Sequence, residues 1–79
     1  MNAPSRSRLP KLSAILAFET AARTGSLARA ADSLALTAAA VSQQIRQLEQ
    51  HLGITLFIRA KSGVTLTEQG ADSLAYVQQ

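Results

Sequence analysis

A mainly α-helical domain with one short β-hairpin before its last helix is what this 79-residue sequence predicts. Three observations predict it. Fifteen alanines and eleven leucines, with only three aromatic residues, favour helix. Apolar residues recur at three- and four-residue steps in four separate stretches. One stretch, 56–66, breaks that period with two short apolar runs around a polar turn. The length is about half that of a typical domain, which allows one small domain and excludes a two-domain enzyme.

Residues 1–10 contain Pro4 and Pro10 with Ser and Arg between them and no apolar period, so they read as a flexible basic arm. From Leu12, the positions Leu12, Ile15, Phe18 and Ala22 predict a first helix that stops at Gly25. Ser26 is placed to cap a second, shorter helix with the stripe Leu27, Ala30, Ala31 and Leu34. Its two central alanines make that face thin enough for another helix to approach closely. Thr37 caps a third helix, 38–52, whose stripe of Val41, Ile45, Leu48 and Leu52 closes at Gly53. Only Ala35 to Thr37 separate the second helix from the third. So short a connection forces a sharp turn, and two short helices meeting at a large angle form a helix-turn-helix.

Leu56-Phe57-Ile58 and Val64-Thr65-Leu66 read as the strands of a hairpin around the turn 59–63, with Gly63 as its positive-φ residue. Thr67, followed by Glu68, opens a fourth helix that runs through Ala71, Leu74, Ala75 and Gln78 without a stop signal. The division is an arm at 1–10, a domain at 11–66 and the start of a linker helix at 67–79. Leu74 and its neighbours serve either as one side of a seam with a partner helix or as packing against the first helix.

Eight Lys and Arg against five Asp and Glu leave a net charge of +3, which permits an anionic partner. Five of the bases and one acid, Glu19, lie in residues 1–31, for a balance of +4, while three bases and four acids leave −1 in 32–79. Much of the excess is therefore in the arm, at Arg6 and Arg8, and the case for a partner rests on where individual side chains point. Without cysteine, disulfides, thiolate metal sites and a Cys nucleophile are excluded. No apolar run approaches the roughly 18 residues of a membrane span. Arg6, Arg8 and Lys11 followed by Leu12 to Phe18 imitate a short targeting segment, but Glu19 ends the run and the amphipathic pattern continues. The expectation is a first helix in a cytoplasmic protein.

At about 100° per residue, Val41, Ile45, Leu48 and Leu52 fall within roughly 40° of one another, so the buried stripe of the third helix is narrow. Ala39, Ser42, Gln43 and Arg46 fall on the other side. A face meant only for solubility would be dense in Lys and Glu. This one suits a major groove: the small residues allow close approach, Gln43 pairs with adenine or phosphate, and Arg46 meets guanine or phosphate. Ser42, or the backbone N–H groups behind Thr37, would hold a phosphate oxygen at the helix N-terminus. Arg59 and Lys61 on the neighbouring hairpin suit a wing that straddles the backbone or enters the minor groove. The fold class is accordingly a winged helix-turn-helix: a three-helix core, a short β-hairpin wing at 57–66 and a C-terminal linker helix.

Five ordered motifs resemble one family. They are Gly25-Ser26-Leu27-Ala28-Arg29-Ala30-Ala31-Asp32-Ser33-Leu34, Ala40-Val41-Ser42-Gln43-Gln44-Ile45-Arg46-Gln47-Leu48-Glu49, Leu52-Gly53, Leu56-Phe57-x-Arg59, and Leu66-Thr67-Glu68-x-Gly70. Together, over about residues 12–79, they resemble the N-terminal DNA-binding domain of LysR-type transcriptional regulators. The opening Leu9-Pro10-x-Leu12, with Phe18-Glu19-x-Ala21-Ala22-Arg23, is similar to the glycine-cleavage-activator subgroup. The resemblance implies DNA contacts from Ser42 and Arg46, a helix-opening role for Thr37, a wing role for Arg59, and positions near the phosphate backbone for Ser26 and Arg29. Ala38 and Ala39 depart from the Gln-Pro usual there, and Gln43 from a frequent basic residue, which puts more of the readout on Gln43. The resemblance also implies double-stranded DNA with a pseudo-palindromic operator and a homodimer through the fourth helix. In a full-length protein it implies a higher oligomer and a small-molecule effector bound by a domain absent from this stretch. No cofactor, catalysis or membrane role is expected.

Some residues are discounted. His51, a lone histidine with no Cys or second His, reads as a solvated side chain and not a metal ligand. Ser, His and Asp show no spacing of a nucleophile with its base. Glu49 reads as a solubilising residue or an intrahelical partner of neighbouring Gln or His. The competing class is a helical protein-interaction module, adaptor- or antitoxin-like, using the Gln-rich face of the third helix.

Overall fold

Hydroxyl caps set where three of the four helices start. In the computed structural model, which describes residues 10–78, helices α1 (Leu12–Thr24), α2 (Leu27–Leu34) and α3 (Ala38–Leu52) are followed by a hairpin of β1 (Phe57–Ala60) and β2 (Gly63–Leu66), then by α4 (Glu68–Val77). The arm expected to carry Arg6 and Arg8 falls, up to residue 9, outside the described residues, as does Gln79. Ser26 Oγ accepts from Arg29 N–H at 3.2 Å, Thr37 Oγ1 from Ala40 N–H at 3.0 Å, and Thr67 Oγ1 from Gly70 N–H at 2.9 Å. Each bond satisfies a first-turn donor that a helix leaves open. Thr37→Ala is expected to cost about 1 kcal/mol in urea unfolding, since Thr37 is exposed and the cap is its main contribution.

The turn between α2 and α3 is sharp because Ala35 adopts φ 58°, ψ 42°. For a residue with a Cβ, that left-handed conformation costs roughly 1 kcal/mol. Leu36 N–H then donates back to Ala31 O at 2.9 Å, which ends α2 and aims the chain into α3. Helix α1 packs on both α2 and α3, and α2 packs on α3. Three helices, a hairpin and a fourth helix complete the winged helix-turn-helix that the sequence predicts.

The core lies where the three helices meet the hairpin. Phe18, Val41, Ile45 and Leu56 are fully buried, and the Phe18 and Phe57 rings meet edge to face, centroids 5.5 Å apart at 64°. This geometry adds about 1 kcal/mol beyond the area the rings bury. The contact face of α1 differs from the expected stripe of Leu12, Ile15, Phe18 and Ala22. Ala14, Ala17, Phe18 and Ala21 are buried, whereas Leu12 is 71% exposed. Alanines win the contact because Ala30 and Ala31 of α2 are buried too, and small residues on both helices let the backbones approach. Leu52, expected in the α3 stripe, is 43% exposed and instead edges an open apolar groove with Ile15, Tyr76 and Val77.

The hairpin also differs in detail. Phe57 pairs with Leu66, Ile58 with Thr65, Arg59 with Val64 and Ala60 with Gly63, so the loop is the two residues Lys61-Ser62 and not the span 59–63. Gly63 has the expected positive φ, at 136°, but as the first residue of β2. A Cβ there would lie 2.5 Å from Gly25 O, and Val64 N–H donates to the same oxygen at 3.2 Å. The loop end of the hairpin is thereby seated on the turn between α1 and α2. At the other end, Thr67 N–H donates to Leu56 O at 3.0 Å, and Thr67 Oγ1 donates to Thr55 O at 2.5 Å, fixing the start of α4. No helix among the described residues is long and apolar enough to cross a membrane.

Candidate nucleic-acid interface

Helix α3 presents two faces. Val41, Ile45 and Leu48 are buried against the core, Ala39, Gln43 and Arg46 are exposed on the far side, and Ala38 is exposed at the start of the helix. The 15 residues of α3 correspond to about 22 Å of helix, long enough to lie along a groove. Thr37 O accepts from Val41 N–H at 3.0 Å, and Thr37 Oγ1 serves Ala40. In an α-helix the preceding first-turn N–H groups, here those of Ala38 and Ala39, have no partner within the helix, and they carry the positive end of its dipole.

Ser42 sits on the edge of this face and is half-buried. Arg59 Nη1 donates to its Oγ at 3.0 Å, and Arg59 Nη2 lies 3.5 Å from Glu49 Oε1. The side chains of Arg59 and Glu49 are 25% and 16% exposed, so the wing arginine is folded inward against α3. Glu49 does more than the solubilising or intrahelical contact expected of it. Its Oε2 accepts from Leu56 N–H at 2.8 Å and from Phe57 N–H at 3.4 Å. One carboxylate thus ties the last turns of α3 to the start of β1. Sequence reasoning missed this role, although a signal was present. Ser42 and Glu49 are seven residues apart, about two turns, and so share one edge of α3 between its buried and exposed faces.

The remaining candidates separate by exposure. Arg29 on α2 and Lys61 in the hairpin loop are exposed, while Ser26 is half-buried and its hydroxyl is used as the α2 cap. Arg23, which was not a candidate, pairs with Glu19 at 3.6 Å one turn away. Gln44, on the opposite edge of α3 from Ser42, has its Oε1 accepting from Ser13 Oγ at 3.2 Å. Of the α4 residues, Leu74 is half-buried and packs against the core of its own chain, whereas Ala71, Ala75 and Gln78 are exposed. His51, expected to be solvated, is half-buried at the end of α3. No group of three His, Cys, Asp or Glu that could hold a metal ion occurs among the described residues.

Residues 12–71 match the family described as bacterial regulatory helix-turn-helix protein, lysR family. The chain is similar to the HTH-type transcriptional activator AmpR of Providencia stuartii, 51% identical over 70 residues, covering 89% of this chain and 24% of that protein. It is similar to the glycine cleavage system transcriptional activator of Escherichia coli strain K12, 51% identical over 63 residues, covering 80% of this chain and 21% of that protein. The chain therefore spans about a quarter of the length of these curated relatives. Among solved structures, the DNA complex of CbnR_DBD superposes with a TM-score of 0.83 at 28% identity, over 86% of this chain and 78% of that one. The complex of BenM_DBD with benA site 1 DNA gives 0.81 at 31% identity, over 86% and 76%.

Proposed function

Because this chain belongs to the lysR family of bacterial regulatory helix-turn-helix proteins, we propose that it binds double-stranded DNA by sequence and regulates transcription, with α3 in the major groove and the hairpin on the flanking backbone or minor groove. The observation that carries this reading is the exposed face of Ala39, Gln43 and Arg46, opposite the buried Val41, Ile45 and Leu48, with the exposed Ala38 at the start of the helix. Two small residues let the helix backbone approach base edges, and the amide and guanidinium that follow have the donors to read them. The first-turn N–H groups behind Thr37, and those of α2 behind Ser26, are suited to phosphate oxygens. Arg29 and Lys61 supply exposed cations for the same backbone.

Two copies joined through α4, on the side that exposes Ala71, Ala75 and Gln78, would offer two α3 helices to the half-sites of a pseudo-palindromic operator. Half-sites of that kind lie about one DNA turn apart, or a multiple of it. The curated relatives are about four times longer, and a small-molecule effector and higher assembly belong to this reading only through further parts of such a protein. The proposed location is the cytoplasm, at the nucleoid.

Selection of duplexes from a random pool, followed by a salt titration of the winner, tests the proposal. Affinity should fall with a logarithmic slope of about −0.9 for each phosphate neutralised, and Lys61→Ala should lower the slope by about 0.9 while leaving the preference for the selected duplex intact. Affinity that stays flat as salt rises would count for the protein-interaction module and against DNA.

A further inference from the structure

The cluster of Ser42, Glu49 and Arg59 joins the wing to the proposed recognition helix, and its hydrogen bonding has a direction. A serine hydroxyl has one proton to give and two lone pairs. Arg59 Nη1 points a donor at Ser42 Oγ from 3.0 Å, so the oxygen is the acceptor in that contact. The Ser42 proton is then turned away from the guanidinium and is left to donate elsewhere. Arg59 has a reason to stay inward: it is a cation with three-quarters of its side chain covered, and Glu49 supplies the compensating charge at 3.5 Å. Glu49 is in turn fixed by the two β1 N–H groups that it accepts. Arg59 Nη2 is buried without a hydrogen-bond partner, so charge and not a second directional bond holds that side of the fork.

We propose that Glu49 and Arg59 are positioning residues for readout: the carboxylate holds the guanidinium against Ser42 Oγ, and the Ser42 hydroxyl therefore meets DNA as a hydrogen-bond donor. A donor at that point selects phosphate oxygens or the acceptor edges of bases, which are N7 and O6 of guanine, N7 of adenine and O4 of thymine. It disfavours the N4 amino group of cytosine and the N6 amino group of adenine. This assignment rests on the reading of α3 as the DNA-contacting helix. It makes Arg59 a residue that acts through Ser42, with no phosphate of its own.

A double-mutant cycle on the 79-residue chain tests it, read as the ratio of affinities for the selected duplex and for random duplex. Arg59→Lys keeps the charge but loses the planar fork that reaches Ser42 and Glu49 together. It should lower the ratio about tenfold in the native background and leave it unchanged in a Ser42→Ala background, because coupled residues do not add. Glu49→Gln keeps an acceptor for the β1 N–H groups but releases Arg59 toward solvent. It should lower the ratio and steepen the salt slope by about 0.9, as the freed guanidinium takes up a phosphate. A merely structural role for Glu49 gives no such gain in slope. Far-UV circular dichroism confirms that each variant is folded, and if Glu49→Gln is not, the Arg59→Lys cycle decides alone. Losses that add across the cycle, or an Arg59→Lys chain with a native ratio, would overturn the assignment while a native preference for the selected duplex leaves the DNA reading standing. A native chain that prefers no duplex would overturn both.

Discussion

Replacing Gly70 by alanine should remove roughly 3 kcal/mol of stability, although helix propensity alone predicts a gain of about 1 kcal/mol for that exchange inside a helix. The sign is set by what a methyl group would meet. Gly70 is buried in the first turn of α4, and a Cβ built there runs into Leu56 O and comes within 3.1 Å of Leu66 Cδ2. Leucine side chains yield by rotating, but the Leu56 carbonyl has little freedom. It accepts Thr67 N–H at 3.0 Å, and the N–H of the same residue is held by Glu49 Oε2 at 2.8 Å. The Leu56 side chain, meanwhile, is fully buried. Relief requires lifting α4 off the hairpin, which breaks the Thr67 bond. Overpacking of this kind costs about 1–3 kcal/mol and occasionally more, and a backbone obstacle belongs at the upper end. A domain of this size has only about 5 kcal/mol in total, so most of the margin would be lost. Urea unfolding followed by circular dichroism measures the difference, with Gln69→Ala as an exposed control that should stay within about 0.5 kcal/mol of native. A Gly70→Ala chain as stable as the native one would mean that α4 is not seated on residue 56.

That contact also marks the limit of what could be read from the sequence. Helix starts were legible because Ser26, Thr37 and Thr67 act within four residues of themselves, and the α3 stripe because Val41, Ile45 and Leu48 repeat at its period. The rotation of α1 was not. Hydrophobic periodicity weights Leu12 and Ile15 above alanine, while burial of Ala14, Ala17 and Ala21 depends on how closely a second helix approaches. That distance is decided by Ala30 and Ala31 on another element. The sequence pattern makes the hairpin loop too wide for a similar reason: its register is set at Gly63, by the carbonyl of Gly25 far back in the chain. Within the candidate site, the exposed positions Ala39, Gln43 and Arg46 followed from helical geometry alone. The inward turn of Arg59 did not, since its partners Ser42 and Glu49 become neighbours only once the chain reverses after Gly53.

The second large effect is expected at Arg46. It is exposed on α3, about one turn beyond Gln43, and Ala39, which precedes both on that face, is too short to reach far into a groove. On the proposed reading, Gln43 and Arg46 are the two long side chains of this face beside the short Ser42, and of these only Arg46 can place two parallel donors on guanine O6 and N7. Such a bidentate pair contributes about 1–3 kcal/mol of discrimination, or roughly 5- to 150-fold. Arg46→Ala should accordingly cost the selected duplex on the order of 10- to 100-fold in affinity. Random duplex should lose only a few-fold, the share of one phosphate-seeking charge. Arg46→Lys separates these two contributions. A lysine restores the charge and the salt slope, but its point-like ammonium lacks the fork, so the discrimination should stay lost. Both changes are at an exposed position and should leave the unfolding midpoint nearly unmoved, which keeps a folding defect from being mistaken for a binding one. Equal losses on selected and random duplex in Arg46→Ala would assign Arg46 to the phosphate backbone and leave base reading to Gln43 and Ser42. Full recovery of discrimination in Arg46→Lys would mean that a single cationic donor, not the planar fork, reads the base.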